Sequence, residues 1–486
     1  VTEVAVDGID FYVLNMRTRM PFRYGIATLT VVPHLVLRLH ARVDGRPQEG
    51  QAAEGLPPKW FTKDPRSGFR QEVEDMLEVI RHAAGLAVDA GPQPSPFDLW
   101  WAVYRAQAVW GAAQGYPPLL SGLGPGLVER ALIDATCRSA GMPFGDALRR
   151  GRLGFRPEAL HAELGGQAPA TLLPQAPGRR IAIRHTVGLA DYLVDAEVPA
   201  DERVEDGLPQ SLEACVRAYG LTHFKVKLFG DAPRDLDRLR RLAAVLAAEA
   251  GEEYAFTLDG NEQYHHLGDF RTLWEALRAA PDLGPFLSRL LFVEQPLHRD
   301  VSLSPAAGAA LRDWPDAPPI VIDESDAAVE SLPLALELGF AGSTYKNCKG
   351  VFRGVANACL LEHRRRRAPG RPYLFSGEDL ANVGPVALLQ DLAVVATLNL
   401  SHVERNGHHY FPGLAMLPED VQAATLRDHG DLYRTAPGGY PTLDIRGGAV
   451  RLDSVVDAPF GARALVPTAG LTPLASWRFA SLGLDE

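Results

Sequence analysis

The chain has 486 residues, a net charge of −11, and 46% hydrophobic with 22% charged residues. That length is too great for one compact core and points to two or three domains of ordinary globular composition. The acidic balance argues against nucleic acid and anionic membranes as partners. No run of about 18 apolar residues offers a membrane span, and no basic-then-apolar leader opens the sequence.

Residues 1 to 55 read as strands. "EVAVDGIDFYVL" and "VVPHLVLRLHARVDG" alternate apolar and polar positions around Asp-Gly turns. From about residue 66 to 150 the pattern turns helical. "RQEVEDMLEVIRHAAG" and "GLVERALIDATCRSAG" are each expected to end at the closing glycine. Residues 1–165 are therefore expected to form an α+β capping domain. The four cysteines, Cys137, Cys215, Cys348 and Cys359, are spread apart with no C-x-x-C pair. They read as reduced thiols, which suits a cytoplasmic protein.

From about residue 180 short apolar runs alternate with helical stretches. The runs are "IAIRHTVG", "THFKVKLFG", "YAFTLDGNEQ", "LLFVEQPL", "PPIVIDESD", "AGSTYKNCKG", "RPYLFSGED" and "LNLSHVERNG". Strand then helix, repeated through eight strands, predicts a (β/α)8 TIM-type barrel over residues 175–415. Polar residues at the strand ends are Lys227, Asp259, Glu294, Asp323, Lys346, Ser376 and His402, and the gaps are 32, 35, 29, 23, 30 and 26 residues. One βα unit takes roughly 30 residues. A doubly wound sheet would repeat in the same way, but no G-x-G-x-x-G follows the first strand. "HRRRRAPGR" reads as the solvated C-terminal end of a helix. Beyond 415, "GGYPTLDIRGGAVRLDSVV" reads as hairpins, and the tail 416–486 is expected to return and complete the cap.

The second barrel strand poses a problem. Lys225 and Lys227 sit among Phe224, Val226, Leu228 and Phe229. Residues i and i+2 share a face, so both lysines point into the barrel or both point at the helices. An unpaired ammonium among helices is costly, which places both inside, near the C-terminal mouth where active sites of such barrels lie. The next three strands end in carboxylates, Asp259, Glu294 and Asp323, and the sixth ends in Lys346. One acid after a strand is commonly a helix cap. Three on neighbouring strands form an anionic patch that calls for a cation, and hard oxygen donors suit Mg2+, with Mn2+ a substitute. Glu324 competes with Asp323 as ligand, and Lys349 with Lys346 as base.

With "KVK", "LDGN", "VEQP", "IDES" and "YKNCK" in these places, the chain resembles the enolase superfamily, and within it the muconate-lactonizing-enzyme-like group. The resemblance covers the barrel and the cap before it. It implies a Mg2+ ion held by Asp259, Glu294 and Asp323, and acid/base catalysis by Lys227 and Lys346. It also implies that Lys225 holds the substrate carboxylate and lowers the Lys227 pKa. Mandelate-racemase-like members place an Asp on the sixth strand and a His on the seventh; here those places hold Lys346 and "FSGED". The implied activity is abstraction of a proton α to a carboxylate to give an enediolate. Racemisation, epimerisation or cycloisomerisation is the first expectation, and dehydration of a hydroxy or sugar acid the alternative. A barrel that binds metal and ligand without turnover is a minor third reading. The partner is then a small carboxylate substrate, and a homo-oligomer is expected.

Asn261, Glu404 and His402 are further candidates for the mouth. Phe22, Tyr24 and Trp60 are candidates for a lid, because "RMPFRYGIAT" and "GLPPKWF" occupy the places of mobile loops in the family. His408 and His409 read as loop histidines rather than a metal pair.

Overall fold

The computed structural model describes residues 2–484. Three long antiparallel strands, β1 (Val4–Tyr24), β2 (Ala27–Val43) and β3 (Arg46–Gly55), form the N-terminal sheet. Asp44 and Gly45 both take positive φ, 49° and 75°, which is the backbone a two-residue hairpin needs. Helices Phe69–Asp89, Pro96–Gln114 and Leu123–Ala140 cover one face of this sheet. Leu35, Leu37 and Leu39 meet Val79, Ile80 and Leu127 there in a shared apolar core. β3 lies so close to the third helix that a Cβ on Gly50 would stand 2.0 Å from the Ala131 carbonyl.

One boundary differs from expectation. The first helix runs through Gly85 to Asp89, whereas Gly141 does cap the third. A mid-helix glycine costs only about 1 kcal/mol, and Ala87, buried in the same core, is reached only by one further turn.

The eight sequence-predicted strands form a closed parallel barrel. They are β4 (Arg180–Val187), β5 (His223–Lys227), β6 (Ala255–Asp259), β7 (Leu290–Glu294), β8 (Ile320–Ile322), β9 (Gly342–Tyr345), β10 (Leu374–Gly377) and β11 (His402–Arg405). Each pairs with the next, and β11 pairs with β4 to close the ring. The arginine run ends helix Val351–Arg367, with Arg364 to Arg367 in its last turn.

The tail visits both units. β12 (Tyr433–Thr435) and β13 (Pro441–Leu443) make a hairpin. A tight turn follows, in which Arg446 and Ala449 bond each other, and β14 (Ala449–Arg451) then pairs antiparallel with the start of β4. β15 (Thr472–Pro473) then adds to β1 of the cap sheet. Among the described residues no helix is long and apolar enough to cross a membrane.

Candidate active site

Strand parity sorts the barrel interior into layers. Arg184, Lys225, Ser376 and His402 form a lower layer, and Arg184 donates to Ser376 Oγ, His402 Nδ1 and Glu378. Lys225 is 1% exposed. Its Nζ lies 2.8 Å from Glu294, 2.8 Å from Glu378, 3.0 Å from Glu404 and 3.1 Å from Asp259. Burial disfavours this ammonium, but the surrounding carboxylates outweigh it and raise the pKa well above the lysine range. An ammonium has three protons to donate, and Lys225 gives one each to Glu294, Glu378 and Glu404. It has none left for a substrate and does not line the cavity above it. Its four carboxylate partners hold Lys225 below the cavity floor.

The upper layer opens upward. Lys227 Nζ donates to Asp259 Oδ2 at 2.6 Å, and the backbone N–H of Asn261 donates to Asp259 Oδ1 at 2.8 Å. Across the ring Lys346 donates to Asp323 Oδ2, while Lys349 Nζ stands 2.8 Å from Asp323 Oδ1. Burial works against both aspartates, yet the ammonium groups prevail and hold Asp259 below, and Asp323 well below, the usual range. Lys346 is pushed up in turn, because the pull of Asp323 exceeds the effect of burial. Glu294 behaves oppositely: burial, with Asp259 and Glu378 nearby, drives its carboxyl well above the ordinary value. Burial and Asp323 likewise push Glu324 up to about 7.

Lys227 and Lys346 line one small cavity of about 20 Å3, together with Asn261, Glu404, Tyr24 and Trp60. Phe22, Asp379 and Asn406 complete its polar and aromatic wall. The cap supplies the roof. Trp60 places its ring centroid 4.7 Å from Lys346 Nζ, Phe22 stacks on Tyr410 at 4.0 Å, and the Tyr24 hydroxyl donates to the Pro58 carbonyl at 2.8 Å. Arg299 clamps this roof to the barrel. It bonds Glu262 through two nitrogens and donates to the Trp60 and Phe61 carbonyls at 2.9 and 3.1 Å.

Several of these residues were not singled out in the sequence. Glu378 and Asp379 lie inside "FSGED", where the sequence points to Ser376 as the strand end; the strand runs one residue further and puts Glu378 on the inward face. His402 begins β11 rather than ending it, so it belongs to the lower layer and not to the cavity. Burial and Arg184 hold its ring neutral, with the pKa down to about 2. Gln295 of "VEQP" accepts the Asp323 and Ser325 N–H groups at 2.8 and 3.2 Å and so fixes the end of β8. Gln295, Asn261 and Glu262 all carry positive φ, 35°, 41° and 63°, uncommon for such residues and concentrated at this mouth. His408 and His409 are not loop residues: they sit buried on the one-turn helix Gly407–Tyr410.

A divalent cation can be tested against the donors present. Glu294 Oε2, Asn261 Oδ1 and Glu324 Oε2 are buried acceptors with no aligned donor. Lys225 Nζ is 2.8 Å from Glu294 Oε2, but its hydrogen bond goes to Oε1. Orphaned hard oxygens fit Mg2+. The three carboxylates are nonetheless closed by lysines, and the group of ligand atoms that does converge among the described residues lies elsewhere. The donor set fits the ion, and the ammonium groups must yield for it.

No family model and no curated protein matches the chain. Solved structures do. Muconate lactonizing enzyme from Pseudomonas fluorescens, complexed with muconolactone, is 18% identical, with 96% of each chain covered and a TM-score of 0.53. An N-succinyl Arg/Lys racemase from Bacillus cereus is 14% identical over 93% of this chain and 97% of that one, with a TM-score of 0.55. An isomerase from Streptomyces coelicolor is 17% identical over 96% and 97%, with a TM-score of 0.56. Identities this low establish the fold: a (β/α)8 barrel with an antiparallel capping sheet, shared with mandelate racemase/muconate lactonizing enzyme structures.

Proposed function

We propose that this protein is an enolase-superfamily enzyme that removes a proton α to a carboxylate, with racemisation, epimerisation or cycloisomerisation as the outcome. The observation that carries this reading is the pair of lysines. Lys227 and Lys346 come from different strands, line the same cavity, and each bonds an aspartate of the neighbouring strand.

Asp259, Glu294 and Asp323 would hold the Mg2+ ion, with Glu324 and Asn261 beside them. When bound, the ion supplies the positive charge that makes an α-proton acidic enough to remove. With a cation held there, Asp259 and Asp323 would no longer pair with Lys227 and Lys346, and one lysine would be free to lose a proton to solvent and act as a neutral amine. One amine then takes the α-proton as the C–H bond breaks, leaving an enediolate. The other lysine, as an ammonium, returns a proton to carbon from the opposite side. Trp60 and the aromatic roof exclude water, so proton return comes from the lysine.

One observation favours the alternative. Lys346 is paired with Asp323 and lines the cavity, and an ammonium there suits protonation of a departing hydroxyl, as in dehydration of a hydroxy or sugar acid. Incubation with Mg2+ in D2O and pools of N-acyl amino acids, dipeptides, muconolactones and sugar acids separates the two by NMR. Deuterium at the α-carbon with growth of the other stereoisomer supports isomerisation, and a keto acid supports dehydration. Full activity after exhaustive chelation would overturn the metal assignment.

A further inference from the structure

A second cluster lies outside the barrel wall, where the proposed chemistry does not use it. His185 follows the inward-facing Arg184 on β4 and so points outward. Cys215 lies on helix Leu212–Tyr219, and His409 on helix Gly407–Tyr410. All three are buried, and one ring nitrogen of each histidine and the Cys215 sulfur lie within 4.8 Å of one another. We propose that His185, Cys215 and His409 form a site for a borderline-soft transition-metal ion, zinc in the first instance, separate from the carboxylate site in the mouth.

The spacing suits that ion. Cys215 Sγ is 3.6 Å from His409 Nδ1. Bonds of about 2.3 Å to sulfur and about 2.05 Å to nitrogen, at a tetrahedral angle, put two ligand atoms about 3.5 Å apart. The surroundings suit it as well. A metal-bound histidine usually turns its other nitrogen to a carboxylate or a similar acceptor. His409 Nε2 faces Asp191 Oδ2 at 3.7 Å, and Asp191 is fixed by the Gly188 N–H at 2.7 Å and the Tyr410 hydroxyl at 2.6 Å. His185 Nδ1 meets His408 Nε2 at 3.1 Å, and His408 Nδ1 is buried with no partner. His408 thus orients the His185 ring.

Such an ion would join β4, the helix after it and the helix after β11. Through Tyr410, which stacks on Phe22, it would also brace the cavity roof.

The full-length protein, stripped of metal and kept in excess Mg2+, is titrated with Co2+ and Zn2+. One equivalent of Co2+ is expected to give a thiolate charge-transfer band that Zn2+ abolishes. Cys215→Ser and His409→Gln should each lower zinc affinity more than about 100-fold, and Asp191→Asn by about 10- to 100-fold, the usual cost of losing an outer partner. Asp259→Asn, in the mouth, should keep the band. Circular dichroism of the metal-free variants separates loss of ligand from loss of fold, and the Zn2+-dependent rise in thermal midpoint should vanish in folded Cys215→Ala. A cobalt spectrum without the thiolate band, or zinc bound equally well by wild type and folded Cys215→Ser, overturns the site.

Discussion

The lower and upper layers of the barrel interior contain the same chemistry and do different things with it. Lys225 and Lys227 leave one strand two residues apart. Lys225 is sealed among Asp259, Glu294, Glu378 and Glu404, while Lys227 touches Asp259 and reaches the cavity. A charged residue inside a barrel is therefore not by itself a sign of catalysis. What separates the two layers is an open direction above Nζ.

The widest difference between the layers should appear in stability. Lys225→Met leaves a cluster of buried carboxylates without their cation, and breaking such pairs costs about 3–5 kcal/mol. The variant is expected to unfold at much lower denaturant or fail to accumulate. Lys227→Met should cost far less, because Asp259 keeps Lys225; equal losses would dissolve the distinction. Next come the acids of the upper layer. Asp259→Asn and Asp323→Asn should each reduce α-proton exchange by more than about 100-fold, beyond what loss of a merely supporting partner costs, with circular dichroism unchanged.

Smaller effects belong to the roof. Trp60→Ala removes the ring over Lys346, a contact worth about 1 kcal/mol. A rise in KM of roughly fivefold is expected, with a smaller change in kcat; an unchanged KM would remove Trp60 from the site. A further effect concerns the joint between cap and barrel. Glu129 accepts the Val351 N–H at the start of helix Val351–Arg367, and burial pushes its pKa up to about 8. A carboxyl raised in the folded state adds stability that is complete below its unfolded pKa of about 4.3 and fades as pH rises through the folded value. Denaturant midpoints of the metal-free protein should fall between about pH 5 and pH 8, and Glu129→Gln should flatten that slope. A slope unchanged in Glu129→Gln would assign the effect to other buried acids.

The barrel was legible because each strand is a short apolar run closed by a polar residue, and the runs recur at one βα spacing. The inward direction of Lys225 and Lys227 followed from their spacing and the cost of burying charge. The division between them did not, because it depends on Glu378 and Glu404, which lie about 150 and 180 residues further along the chain and arrive only when the ring closes. Arg184, Gln295 and the Arg299 clamp were missed for the same reason. Each sits in a plain strand, loop or helix-start context, and each matters through partners that only the fold supplies. The His185, Cys215 and His409 group is the extreme case, drawn from three segments with no shared motif.

The central claim is that two lysines serve one cavity from opposite sides. It is tested most directly by following α-proton exchange in D2O for each enantiomer of a turned-over substrate, with Lys227→Ala and Lys346→Ala alongside wild type. The account predicts that racemisation stops in both variants. Each should still exchange the proton of a single enantiomer, and the two variants should choose opposite enantiomers. If both variants exchange both enantiomers at the wild-type rate, the two-lysine account is wrong.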